Sequence, residues 1–220
     1  MSQDLQGFRP LNEIVESIKE SKDFGVSSWD QRENIPFEIT PIQFLDFAQR
    51  AIEEETQAGY VNALSNVKRA IECQLDLLLC ALGQHEKAQK KRWSFPRKIE
   101  FIKSVGLVAP EILRKVNKAR IHLEHEYKYP RPEEVKDAFD IADLFLAYSS
   151  KFVEKKCAEF EIELREGESG VWIKFDEDKN LFEIAVPEPR SRKVVKYIVG
   201  EKDENYLSLL KTYVEFMMQL

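Results

Sequence analysis

The chain has 220 residues, 43% of them hydrophobic, so it can bury a full core and is expected to form one main domain with an appendage. Its formal net charge of −6 argues against a protein that coats nucleic acid non-specifically. No apolar run approaches the roughly 20 residues of a membrane span, and the start, MSQDLQGFRP, has neither the basic nor the apolar region of a signal peptide, so we expect a cytoplasmic protein without a membrane partner.

The first 40 residues predict an N-terminal arm with one short helix. That helix is LNEIVESIKE at residues 11–20. The stretch that follows it, GVSSWDQRENIPFEIT, is interpreted as an irregular arm.

Residues 41–157 carry clear helix signals and predict an antiparallel bundle with short connections. Thr40 and Gln43 form a capping-box pattern around Pro41, which is a favoured first residue of a helix. Gly83 stands in the usual C-terminal glycine position of the second helix. The five helices are predicted at 41–57, between Gly59 and Gly83, from Pro96 to Gly106, from Pro110 to Pro130, and from Pro132 to 157.

From about residue 158 the hydrophobic period changes from helical to alternating. FEIEL, GVWIKF, NLFEIAV and KVVKYIV predict short strands separated by turn residues, and a final helix is predicted from about residue 203. We therefore expect residues 158–220 to form a small α+β appendage. The fold class expected for the whole chain is mainly α, an antiparallel five-helix bundle with that C-terminal appendage.

Residues 85–103, HEKAQKKRWSFPRKIEFIK, form a basic and aromatic segment with seven Lys or Arg against two Glu. Such a mixture of cations and rings is able to bind phosphates and stack on bases. The alternative is a solvated loop whose aromatic side chains anchor helix ends. The residues predicted to contact RNA are Lys90, Lys91, Arg92, Trp93 and Arg97.

A second polar cluster, KARIHLEHEYKYPRP at residues 118–132, ends the predicted fourth helix. Arg120 falls within the apolar stripe of that helix, where a guanidinium needs a carboxylate, a backbone acceptor or a ligand phosphate. If Arg120 does not bind a ligand phosphate, the alternative is a purely structural ion pair with Glu72 or Asp76 of the second helix.

The histidines and cysteines do not predict a metal centre. His122 and His125 are three residues apart and in principle share an ion, but no other His or Cys pair completes a site. Cys73 and Cys80 lie two turns apart on one predicted helix, roughly 10 Å by the helical rise, which is too far for a disulfide. With Cys157 they are interpreted as buried thiols, and we expect neither a metal nor a cofactor.

Arg120, His125 and Tyr127 give the pattern R-x4-H-x-Y near the end of the predicted fourth helix. This pattern and the stretch RIHLEHEYKYPRPEEVKDAFDIADLFL resemble the corresponding part of HEPN domains. The second predicted helix, NVKRAIECQLDLLL, is also similar to that family's. The resemblance covers about residues 41–157.

The resemblance implies a metal-independent endoribonuclease that acts as a homodimer, with two Arg–His pairs in one cleft. Carried over, Arg120 would hold the scissile phosphate, and His125 would act as general acid or base. The expected products carry 2′,3′-cyclic phosphate ends. His122, Glu72 and Asp76 are the candidate supporting residues.

The family's toxins add an implication for Tyr127. In pairs of a HEPN toxin and a nucleotidyltransferase antitoxin, the matching tyrosine receives AMP, which silences the nuclease. Tyr127 is therefore a candidate AMPylation target, whereas the helical wheel puts it on the core-facing side and favours a packed core tyrosine. The implied partners are RNA, a second copy, and a nucleotidyltransferase-type antitoxin or another antiphage-defence protein.

Ile121 departs from the family, in which the residue after the arginine is usually polar. Together with the acidic net charge, this departure leaves a second function open. The alternative is a non-catalytic HEPN module that binds nucleotides or scaffolds a partner protein.

Overall fold

The structure is a computed structural model that describes residues 9–21, 23–31, 36–107, 113, 127–163, 170–187 and 193–220. Within these ranges the chain forms seven helices and five strands. In chain order they are α1 (Leu11–Glu20), β1 (Phe24–Gln31), α2 (Pro41–Glu53), α3 (Gln57–Ala81), α4 (His85–Lys90), α5 (Phe95–Ser104), α6 (Pro132–Glu154), β2 (Lys155–Ile162), β3 (Val171–Asp176), β4 (Leu181–Pro187), β5 (Val194–Gly200) and α7 (Tyr206–Gln219).

These elements belong to two compact units. The sheet unit comprises Met1–Gln31, Ala81–Gln84 and Lys155–Leu220. The helical unit comprises Arg32–Cys80 and His85–Glu154.

The sheet unit is built on five antiparallel strands in the order β1-β2-β3-β4-β5. Buried and more accessible residues alternate along β3 and over the first half of β4, as expected when one face of a sheet is covered. Tyr213 of α7 lies on that face, with its ring centroid 5.5 Å from Phe160, 5.2 Å from Phe175 and 6.1 Å from Phe182. One tyrosine thus contacts three neighbouring strands, and α7 supplies the cover of the sheet.

Helix α1 packs beside α7 in the same unit. Its buried residues, Ile14, Val15 and Ile18, follow helical spacing and form one apolar stripe. The Asn205 side-chain amide donates to the Asn12 side-chain oxygen at 2.9 Å, which ties the start of α7 to the start of α1. The predicted helix at residues 11–20 is therefore confirmed, as part of the sheet unit.

Strand β1 starts one residue before the stretch that was interpreted as irregular and continues into it, so that interpretation is wrong for residues 25–31. The strand pairs antiparallel with β2, and Phe24 is opposite Ile162. Its register shifts between Val26 and Ser28 and again between Ser28 and Trp29. Such irregularity removes the clean alternation by which a strand is recognised in sequence.

The predicted fold class is wrong, because the chain is an α+β protein rather than a mainly α bundle with a small appendage. Among its described residues, the sheet unit has five strands and two helices, and it draws on both ends of the chain. Helix α6 ends at Glu154, and β2 begins at Lys155 without a connecting loop. The helical period had been followed to Cys157, which lies in that strand and is buried.

The helical unit contains α2 to α6. The predicted capping box of α2 is present: the Thr40 hydroxyl accepts from the Gln43 amide at 3.3 Å, and the Gln43 side chain accepts from the Thr40 amide at 2.8 Å. Helix α2 packs on α6. Between α3 and α6, the buried Gln74 amide donates to the buried Ser149 hydroxyl at 2.7 Å, which fixes the two helices side by side.

Helix α3 is the longest described element, and its predicted apolar stripe is confirmed. The stripe residues, all fully buried, are Leu64, Val67, Ile71, Leu75, Leu78 and Leu82. Gly83 follows with φ +66°, as the C-terminal glycine position requires. The predicted fourth helix, from Pro110 to Pro130, lies largely outside the described residues. No helix in the described ranges is both long enough and apolar enough to span a membrane.

Candidate nucleic-acid interface

The residues predicted to cleave RNA lie outside the described part of the chain. Arg120 and His125 both fall in the gap between residues 113 and 127, and so do Ile121 and His122. The R-x4-H site therefore stays a prediction.

Glu72 and Asp76, the two acidic residues predicted to support that site, each form an ion pair with a lysine. Lys68, one turn earlier on α3, places its Nζ 2.6 Å from the Glu72 carboxylate. Lys98 of α5 lies at the same distance from Asp76, and this pair is only 14% and 17% exposed. A partly buried charge is stabilised by such a partner. Asp76 therefore joins α5 to α3, which is a structural role.

Tyr127 lies at the surface with its side chain 88% exposed. The alternative of a packed core tyrosine is therefore wrong. The helical wheel had assumed an ideal helix through this position, whereas Tyr127 is outside any helix and has φ +54°, in the left-handed region. Its hydroxyl is accessible, as AMP transfer would require, and the modification itself stays a prediction.

The predicted RNA-binding residues lie on two short helices, α4 and α5, and on the turn between them. Helix α4 was not predicted, although HEKAQK consists mainly of strong helix formers. Its high charge suggested a loop. We call residues 90–97 the basic turn; its predicted contacts are Lys90, Lys91, Arg92, Trp93 and Arg97.

The basic turn begins with a Schellman motif that ends α4. The Trp93 amide donates to the Ala88 carbonyl at 2.9 Å, and the Arg92 amide donates to the Gln89 carbonyl at 3.1 Å. Arg92 has φ +49°, in the position that glycine usually fills. The left-handed conformation costs a residue with a Cβ about 1 kcal/mol. The chain therefore holds a guanidinium where glycine would be more stable.

Trp93 anchors the basic turn to α5. Its half-buried ring lies 5.4 Å from the ring of Phe101. Two cations lie over the indole: the guanidinium carbon of Arg97 at 5.4 Å and the Nζ of Lys87 at 6.0 Å from the ring centroid. The ring thus serves as an anchor, as the alternative interpretation of this segment held, and it also gathers positive charge beside the turn.

The cations of the basic turn differ in their partners. Lys90 contacts Glu86 at 2.9 Å, and its hydrogen bond lowers the pKa of that carboxylate. Arg97 contacts Glu100 at 3.5 Å, and both pairs are exposed to solvent, where such contacts contribute little. Lys91 and Arg92 are exposed and have no ion-pair partner among the residues that the structure describes. An anion that binds these two side chains would therefore replace no ion pair with a described residue.

Across the described ranges, no three His, Cys, Asp or Glu side chains converge as metal ligands. Compared with protein-family models, curated proteins and solved structures, the chain matches none. The basic turn is therefore interpreted from its own contacts and charges.

Proposed function

We propose that this protein binds RNA through the basic turn and cleaves it without a metal ion, through Arg120 and His125 of the R-x4-H motif. The observation that carries the binding step is the pair of exposed cations Lys91 and Arg92, which lack acidic partners in the described structure. Residues 85–103 hold seven Lys or Arg against two Glu in a protein whose net charge is −6. Such a local excess of positive charge favours a polyanion at this place on the surface.

The geometry of the basic turn suits phosphate groups. A guanidinium offers a planar pair of N–H donors to phosphate oxygens, whereas an ammonium acts as a compact point charge. Arg92 supplies a guanidinium, and the neighbouring Lys91 supplies an ammonium. Lys90 and Arg97 can join them, because their exposed pairs with Glu86 and Glu100 exchange readily for stronger contacts with phosphate.

The cleavage step follows the chemistry that the motif implies. The 2′-oxygen of a ribose attacks the adjacent phosphorus, the bond to the 5′-oxygen breaks, and a 2′,3′-cyclic phosphate remains. His125 transfers a proton at the 2′-hydroxyl or at the leaving oxygen, since an unperturbed imidazole titrates near neutral pH. Arg120 holds the phosphate and stabilises the charge that develops on its oxygens.

The biological setting belongs to the same proposal. We place the protein in the cytoplasm as a homodimer and as a component of a toxin pair or an antiphage-defence system. A nucleotidyltransferase-type partner would silence it by transferring AMP to Tyr127. The exposure of that hydroxyl supports this assignment of the modified residue.

The test of cleavage uses a labelled RNA in EDTA, with wild type beside His125→Ala and with end-group analysis of the fragments. Cleavage by wild type alone, with cyclic phosphate ends, is expected. RNA binding without cleavage would replace this function with the second candidate, a non-catalytic module.

The test of binding measures RNA affinity by fluorescence anisotropy at several salt concentrations. Lys91→Ala combined with Arg92→Ala should weaken binding roughly tenfold and reduce the salt dependence by about one to two phosphate contacts. The matched control combines Lys202→Ala with Lys211→Ala, which removes the same charge from the sheet unit. An equal loss in both double variants would contradict the assignment of the basic turn.

A further inference from the structure

Two tyrosine rings stand exposed in the segment that follows the R-x4-H motif. Tyr127 is 88% exposed and Tyr129 is 64% exposed. Within the described structure neither ring stacks on another aromatic side chain or accepts a cation. A large ring left in water forfeits the stabilisation that burial would provide. Two such rings, separated by a single residue, therefore point to a ligand that covers them.

The segment that carries the rings is held at its downstream end. The Arg131 guanidinium donates to the Glu134 carboxylate at 2.6 Å, and the Arg131 amide donates to the same carboxylate at 3.2 Å. Pro130 and Pro132 restrict the backbone on either side of Arg131. These constraints reduce the conformational entropy that the segment would lose when a ligand binds.

Tyr127 itself has a strained backbone, with φ +54°. Left-handed residues that carry a Cβ are uncommon and concentrate at functional sites. The conformation and the exposure of the ring occur together at the same residue. Both are expected where a side chain is presented to a binding partner.

We propose that Tyr127 and Tyr129 form a stacking site for the bases of a single-stranded RNA. This inference rests on the proposed function, and it identifies the residues that recognise the substrate's bases. Aromatic rings stack on unpaired bases of any identity, whereas the faces of bases in a duplex are already stacked and paired. Lys128, exposed between the two tyrosines in the sequence, adds a positive charge near the backbone of the strand.

The position of the rings along the chain connects this site with the proposed chemistry. Tyr127 is two residues from His125, so their Cα atoms are at most about 7 Å apart. A base stacked on Tyr127 brings its own ribose and phosphate within the same range. The stacking site would therefore select a single strand and position it at the residue that transfers the proton.

The experiment measures the affinity of a short unstructured RNA and of a duplex of the same length, all in the His125→Ala background so that nothing is cleaved. Tyr127→Leu and Tyr129→Leu retain apolar bulk and remove the aromatic ring. Each should weaken single-strand binding by about tenfold, while Tyr127→Phe and Tyr129→Phe should bind as the parent does. The parent should bind the duplex more weakly than the single strand. Phe47→Leu, at an exposed aromatic residue of α2, is the control and should leave affinity unchanged.

Three results from the leucine variants and the parent would overturn the stacking site while the proposed function stands. They are unchanged single-strand affinity in the combined Tyr127→Leu, Tyr129→Leu variant, equal affinity for duplex and single strand, and an equal loss in Phe47→Leu. A loss in both phenylalanine variants would also overturn it, because the hydroxyls would then make the contact. If the parent bound neither RNA and wild type cleaved neither, the proposed function would fail together with this inference.

Discussion

The guanidinium carbon of Arg97 lies 5.4 Å from the centroid of the Trp93 ring, so a cation in the first turn of α5 packs on the indole that precedes this helix. The same guanidinium lies 3.5 Å from the exposed carboxylate of Glu100. Contacts of a cation with an aromatic face contribute about 0.5 to 1 kcal/mol at exposed positions, whereas a surface ion pair often contributes nothing measurable. The contact with Trp93 is therefore expected to be the more stabilising of the two.

Arg97→Ala tests that ranking. We expect it to lower the free energy of unfolding by about 0.5 to 1 kcal/mol and to weaken RNA binding, since it removes both the ring contact and a charge. Glu100→Ala is the control: it should leave stability nearly unchanged and strengthen RNA binding, because Arg97 loses a competing anion. Urea unfolding and fluorescence anisotropy measure the two quantities. A larger loss of stability in Glu100→Ala would reverse the ranking.

Arg92→Gly should raise the stability of the protein and lower its affinity for RNA. Glycine adopts the left-handed conformation without a steric penalty, so the variant is expected to be more stable than wild type by up to about 1 kcal/mol. Its RNA affinity should fall, because the guanidinium is lost. Arg92→Ala is the comparison, since it loses the same charge and keeps the strained backbone. Thermal unfolding that showed Arg92→Gly no more stable than Arg92→Ala would contradict this interpretation of the turn.

Asp76→Asn should destabilise the helical unit. The substitution leaves the Lys98 ammonium, only 14% exposed, without its charged partner at 2.6 Å. We expect a loss of about 1 to 3 kcal/mol in urea unfolding. Glu86→Gln, which breaks the exposed pair with Lys90, is the control and should leave stability nearly unchanged, because solvent screens a pair at the surface. Equal effects of the two substitutions would argue against a structural role for Asp76.

Gly83→Ala should destabilise the sheet unit. Gly83 has φ +66°, and a Cβ there would lie 2.7 Å from the Glu177 carbonyl oxygen and 2.8 Å from the Asn180 side-chain oxygen. Backbone strain and this close approach together predict a loss of about 1 to 3 kcal/mol. Gly25→Ala, whose added Cβ meets nothing within 4 Å, should be close to neutral. A neutral Gly83→Ala in thermal unfolding would mean that the turn relaxes at little cost.

Two of the three cysteine thiols, Cys73 and Cys157, should resist alkylation while the protein is folded. Burial, with a smaller effect of neighbouring Asp76, raises the pKa of Cys73 to about 11, and burial raises the pKa of Cys157 to about 12. Iodoacetamide reacts with the thiolate, so neither residue should be labelled at neutral pH, although both should react in urea. Mass spectrometry of labelled peptides checks this. Rapid labelling of Cys73 in the folded protein would contradict it.

The raised pKa of Cys73 also determines how the free energy of unfolding changes with pH. In the unfolded chain a thiol ionises near pH 9, whereas Cys73 in the folded protein remains protonated until about pH 11. Between these values the folded state binds more protons than the unfolded state, so the contribution of Cys73 to stability is present below pH 9 and declines as the pH rises. Cys73→Ala should lose less stability than wild type over that interval. Parallel pH profiles of the two proteins would count against the shift.

Local signals in the sequence were sufficient for several elements. The capping box at Thr40 and Gln43, the glycine after α3 and the apolar stripe of that helix each depend on residues within a few positions of one another. The alternation in β3 and β4 is local in the same sense. These features could be predicted because the physical interactions that produce them join near neighbours in the chain.

Strand β1, the partner of Asp76 and the exposure of Tyr127 were decided by the tertiary structure alone. Strand β1 exists because Phe24 pairs opposite Ile162, more than a hundred positions away, and nothing in the sequence around Phe24 specifies that partner. Asp76 is paired with Lys98 from another helix, and the ring of Tyr127 is exposed at a residue that lies outside any helix and has φ +54°. A sequence determines which side chains are apolar, charged or able to end a helix. Which of them meet depends on the packing of distant segments, because pairing, charge compensation and exposure are properties of the neighbours that the fold supplies.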